Sequence, residues 1–121
     1  MGLDTYAARS PEAELGDDDK QAFDQADLQL CWGMHSGTGG SFRGKVYSDV
    51  VEHVSGVSLH QEWIPPETVR AMAEVFQRCD PEAVESDLAG EYYAPSAHEV
   101  RELQTFLQIC ADRGLGLVGW E

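Results

Sequence analysis

Basic side chains are scarce in this chain. Eight of them, of which only Lys20 and Lys45 are lysines, stand against 22 acidic residues in a total of 121, for a formal net charge of −14. That balance excludes a broad basic face, so direct binding to nucleic acid is not expected, because phosphate contacts need clustered Lys and Arg. Anionic membrane surfaces are disfavoured for the same reason. Apolar runs are short as well, and none approaches the roughly 18 residues that a membrane helix needs. Cysteine is limited to Cys31, Cys79 and Cys110, widely spaced and without a C-x-x-C pair. The reading is a cytoplasmic chain with reduced thiols. The start, Met1-Gly2-Leu3-Asp4-Thr5-Tyr6, lacks the basic and apolar regions of a signal peptide, and Tyr6 stands where a myristoylation motif wants Ser or Thr.

Three physical readings of the acidity stay open: a hydrated carboxylate surface suited to high salt, a surface complementary to a basic partner, or a bias without specific meaning. Hydrophobic residues make up 42% of the chain, so the acidity does not signal disorder. The length suits a single globular domain over 1–121, with enough buried surface for one core without metal or disulfide staples.

Periodicity outlines an α+β fold. Val46, Tyr47, Val50, Val51 and Val54 fall at helical spacing, and Ser55-Gly56 ends that run. Pro65-Pro66 opens a second helix with the stripe Val69, Met72, Val75, Phe76 and Cys79. Ser96 and Glu99 form a capping box for a third, with Val100, Leu103, Phe106, Leu107 and Cys110 on one face and Gly114 at its end. Asp17-Asp18-Asp19 favour the start of a short helix over 20–26 through the helix dipole, and one further turn is expected around 82–87. Gly2 to Ala8, the segment around 28–33 and Leu115 to Trp120 read as strands. The expected architecture is three main helices on a small sheet formed by the two termini and the 28–33 segment.

The sharpest chemical signal is the glycine-rich loop Ser36-Gly37-Thr38-Gly39-Gly40-Ser41-Phe42-Arg43-Gly44-Lys45, which runs straight into a helical pattern. Open backbone donors, a hydroxyl and two cations at a helix entrance suit an anionic group. The candidate ligand-binding residues are therefore Gly39, Gly40, Ser41, Arg43 and Lys45, with a small anionic ligand as the expected partner. Gly39 to Lys45 also satisfies G-x-x-x-x-G-K, but Val46 replaces the Ser or Thr that would hold magnesium. No apolar strand ending in Asp follows to anchor a metal. The competing reading is a surface loop whose Arg43 and Lys45 pair with neighbouring carboxylates.

Other constellations are weaker. His35, His53, His60 and His98 lack the spacing that puts two imidazoles on one helix face, so no metal site and no cofactor are assigned. A Cys31 nucleophile with His35 or His60 as base defines a minor enzyme reading, although Cys31 lies in a strand pattern rather than at a helix N-terminus. No catalytic residues are assigned. Trp63, before Ile64-Pro65-Pro66, reads as a packing anchor for the second helix. Tyr92-Tyr93, in an acidic stretch, reads as partly exposed and able to touch a basic protein partner.

Four segments together carry a resemblance: Met1 to Ala7, Ser41-Phe42-Arg43-Gly44-Lys45-Val46-Tyr47, Glu62-Trp63-Ile64-Pro65-Pro66-Glu67, and Arg113 to Trp120. The chain resembles a group of uncharacterised small microbial proteins that open with Gly-Leu-Asp-x-Tyr. The resemblance spans nearly the whole chain, which implies a complete single-domain protein, and brings no activity, cofactor or catalytic residue. A related opening in phage-associated small proteins keeps a counter-defence or host-interaction role open.

The charge excess has a direct consequence. Raising the salt from about 0.05 to about 0.5 M screens self-repulsion and is expected to raise the melting temperature. A flat or falling curve over that range contradicts this.

Overall fold

The apolar stripes find their helices. In the computed structural model, which describes residues 3–28, 30 and 40–120, the elements run β1 (Asp4–Ala8), α1 (Asp17–Ala26), β2 (Ser41–Arg43), α2 (Gly44–Ser55), β3 (Trp63–Ile64), α3 (Pro66–Arg78), α4 (Pro81–Asp87), α5 (Ala97–Arg113) and β4 (Gly116–Trp120). The fold is α+β. Four strands form one antiparallel sheet in the order β2-β1-β4-β3, with the N-terminal strand beside the C-terminal one.

Helix ends follow local chemistry. In α5 the Ser96 hydroxyl accepts from the Glu99 N–H and the Glu99 carboxylate accepts from the Ser96 N–H, both at 3.1 Å, which satisfies two orphan donors of the first turn. At the other end Gly114 takes φ of 67°, the left-handed conformation that costs glycine little. Glu99 also accepts the Tyr47 hydroxyl at 2.7 Å, tying α2 to the start of α5.

Register assigns the two sheet faces. Leu3, Thr5, Ala7, Phe42, Ile64 and Leu117 share one face and are all buried there, most of them in the main core cluster with the helices. Phe106 of α5 is the centre of that core, with ring centroids 4.9 Å from Phe23 of α1 and 5.0 Å from Phe42 of β2. The latter contact is edge-to-face, a favoured aromatic geometry. Asp4, Tyr6, Ala8, Ser41, Arg43, Val118 and Trp63 alternate onto the opposite face.

Two placements differ from expectation, and a third lies mostly outside the described residues. Ser41–Arg43 is an edge strand rather than a loop, because Asp4, Thr5 and Tyr6 supply backbone partners along its whole length. The two edges of the sheet are 41–43 and 63–64, outside the central pair β1 and β4. Of the segment 28–33, only Leu28 and Leu30 are described, and neither is in a strand. Trp63 belongs to β3 on the face away from the core, where its ring lies over Gly116 of β4.

Glycine is required at 119 for steric reasons. A Cβ there would overlap the Gln61 carbonyl oxygen and approach that of Leu59 to 2.9 Å. Backbone atoms cannot rotate away, so Gly119→Ala is expected to destabilise by about 2–3 kcal/mol, roughly 10 °C in melting temperature. Gly90→Ala, which meets nothing within 4 Å, serves as the neutral control in the same thermal denaturation.

Candidate functional site

Asp19 is the most deeply buried charged side chain among the described residues. It lies in the first turn of α1, fully enclosed, and its Oδ1 accepts from both Arg9 Nη2 and Arg113 Nε at 2.7 Å. Oδ2 accepts from the Gly16 N–H at 3.1 Å. Burial pushes the carboxyl pKa up, but the hydrogen bonds from Arg113, Gly16 and Arg9, with the charge of Arg9, outweigh it and hold it below the usual value. Arg9 and Gly16 bracket the loop of residues 10–15, so one carboxylate fastens both ends of that loop. Arg113 adds the C-terminal end of α5.

The fastened loop walls a cavity of about 390 Å³ lined by Tyr6, Ala7, Ala8, Gly40, Lys20 and residues 10–15. An isolated bridge between Ser10 and Ala13 shapes the loop. Gly40 accepts the Ala7 N–H at 2.8 Å, extending the β1–β2 ladder into the cavity floor. A Cβ on Gly40 would come within 2.7 Å of Leu15 Cδ1. The missing side chain therefore lets the loop lie against the strand. Tyr6, Pro11, Ala13 and Leu15 give the cavity an apolar body, and Glu12, Glu14 and Lys20 supply charge.

The candidate residues from the sequence separate in space. Gly40 lines the cavity. Ser41 is buried on the sheet face that also carries Tyr6, its partner in register. Arg43 stands opposite Asp4, a carboxylate only 5% exposed, and its Nε is shut from solvent with no hydrogen-bond partner. Lys45 is exposed in the first turn of α2, where its N–H donates to the Leu3 carbonyl at 3.1 Å. Ser41, Arg43 and Lys45 do not line the cavity. Among the described residues neither Arg43 nor Lys45 meets a carboxylate within 4 Å, so the expected local ion pairs are not formed there. Gly39, Cys31 and His35 lie outside the described residues.

Lys20 and the loop 10–15, which line the cavity, carry nothing in their local sequence pattern that marks a ligand. The one available signal was that Lys20 is one of only two lysines. Asp19 was missed because three consecutive aspartates at a helix start read as dipole complements.

The remaining chemistry is accounted for by packing. Cys110 is wholly buried in the core, and burial pushes its thiol pKa up. Burial also raises that of Cys79, opposed by a hydrogen bond from Gln104 and reinforced by the charge of Asp80. Raised values are the reverse of what a thiolate nucleophile needs. Among the described residues no group of three or more His, Cys, Asp or Glu is placed to hold a metal ion, and no helix is long and apolar enough to cross a membrane. Tyr92 is 90% exposed, with Tyr93 edge-on to it at 4.7 Å between centroids. Comparison with protein families, with curated proteins and with solved structures found no match for the chain.

The Asp19 clamp makes stability depend on pH in a defined direction. Its folded pKa lies below the unfolded value of about 4, so its contribution is complete above that value and is lost as pH falls through the folded pKa. Asp19→Asn is expected to cost about 3 kcal/mol near neutral pH and to flatten the acid limb of the stability curve. Equal acid sensitivity of the two proteins in urea unfolding between about pH 2 and 6 contradicts the assignment.

Proposed function

We propose that this protein binds a small anionic molecule in the cavity floored by Gly40, with Lys20 as the cation that receives the anionic group. The observation that carries the reading is Lys20 itself. In a chain of net charge −14 it lines a ligand-sized cavity, and it forms no ion pair among the described residues. Tyr6, Pro11 and Leu15 then take the apolar body of the ligand. Arg43, with Lys45 and Ser41, is the alternative seat for the anion, favoured by the buried Arg43 Nε that lacks an acceptor.

A second reading is an acidic interaction module that engages a basic protein or mimics nucleic acid, in keeping with the host-interaction role open to phage-associated proteins. The near-complete exposure of Tyr92 favours it, since a large ring held edge-on by its neighbour gives a cationic side chain a π face. Cytoplasmic residence belongs to either reading, on the cysteine pattern. So does kinship with the Gly-Leu-Asp-x-Tyr proteins, which assigns no chemistry.

Thermal denaturation with phosphate, simple carboxylates and nucleotides tests the first reading. A true ligand at a hundredfold excess over its Kd is expected to raise the melting temperature by roughly 10 °C. Lys20→Gln is expected to abolish the rise and Arg43→Gln to leave it intact. The opposite pattern moves the site to Arg43, and no rise with any compound defeats the anion reading.

A further inference from the structure

The cavity holds more charge than an anion needs. Glu12, Glu14 and Lys20 line the same space, and all three are exposed. Among the described residues none of them forms an ion pair, although Arg9, Arg101 and Arg113 each find a carboxylate. Opposite charges around one concave space that do not neutralise each other are left to act on whatever enters it. A ligand with a carboxylate alone would satisfy Lys20 and be repelled by two glutamates. A ligand with an ammonium alone would meet the glutamates and be repelled by Lys20. One that carries both satisfies the whole set.

We propose that the ligand is a zwitterion of the α-amino acid type with an apolar or aromatic side chain. This rests on the anion reading above and names the ligand class of the same site. The carboxylate goes to Lys20, the ammonium to Glu12 and Glu14, and the side chain lies among Tyr6, Pro11, Ala13 and Leu15. A volume of about 390 Å³ is near the lower end of the ligand-pocket range, which suits one amino acid rather than a peptide or a dinucleotide. The distribution of charge also explains discrimination. Dicarboxylates meet two like charges at the rim, and polyamines meet one.

Calorimetric titration of the full chain with L-phenylalanine and L-leucine, against 3-phenylpropionate and 2-phenylethylamine, tests the assignment. The amino acids are expected to bind, and each one-charge analogue to bind about tenfold more weakly or worse. The double variant Glu12→Gln/Glu14→Gln is expected to lower amino acid affinity about tenfold while leaving 3-phenylpropionate no weaker. The substituted side chains are exposed, so the fold is retained, as circular dichroism will show. Equal affinity for 3-phenylpropionate and phenylalanine overturns the zwitterion and leaves the anion reading standing. Binding of 2-phenylethylamine alone, or of no probe at millimolar concentration, also overturns the zwitterion, and the anion reading then stands or falls on the phosphate, carboxylate and nucleotide series.

Discussion

One buried carboxylate ties the sheet of this molecule to its helical layer. Asp19 leaves water entirely and takes two guanidinium groups on a single oxygen, at 2.7 Å each, and a backbone N–H on the other. A charge in that position is tolerated only because its partners are all present, and removing any of them leaves a buried group uncompensated. Those partners come from the end of β1, the entrance of α1 and the last turn of α5. The clamp therefore joins the sheet to the helical layer and fixes the loop between Arg9 and Gly16. Gly40 meets that loop from below, and the cavity is the space the two leave between them.

The charge of the chain looks different once the pairs are placed. Arg9 and Arg113 serve Asp19, and Arg101 serves Glu82. These pairs take three of the eight basic side chains, and of the remaining five Lys20 is the one that lines the cavity. The carboxylates of the surface need no such explanation, since they are hydrated and screened by salt. Glu99 shows the other use of an acid here. It closes the N-terminus of α5 and receives the Tyr47 hydroxyl, so a residue that serves local helix chemistry also fastens α2.

Much of the helical layer was legible in the sequence because its signals are local. The stripe from Val100 to Cys110, the Ser96–Glu99 box and Gly114 define α5 without reference to anything distant, and Pro66 and Gly56 mark helix ends in the same way. The small strands were less legible. Ser41-Phe42-Arg43 has one apolar residue and sits beside glycines, so its strand character comes from pairing with β1 rather than from its own composition. Trp63 likewise takes its role from Gly116, which is 53 positions away in sequence. The cavity was not legible at all. Its walls are a polar loop, its charge comes from exposed residues of ordinary types, and its geometry depends on an Asp19–Arg113 contact spanning 94 residues. Of the glycine-rich segment, Gly40 lines the cavity through the space it leaves open, while Ser41, Arg43 and Lys45 do not line it.

The most direct test is amide NMR of the labelled chain during titration with L-phenylalanine, on the native protein and on Asp19→Asn at a temperature where both are folded. The account requires shift changes centred on Ala7, Ala8, Ser10, Ala13 and Gly40 in the native protein, and their loss or marked weakening when the clamp is removed. Shifts centred instead on Arg43 to Val46, or an identical response in both proteins, would contradict it.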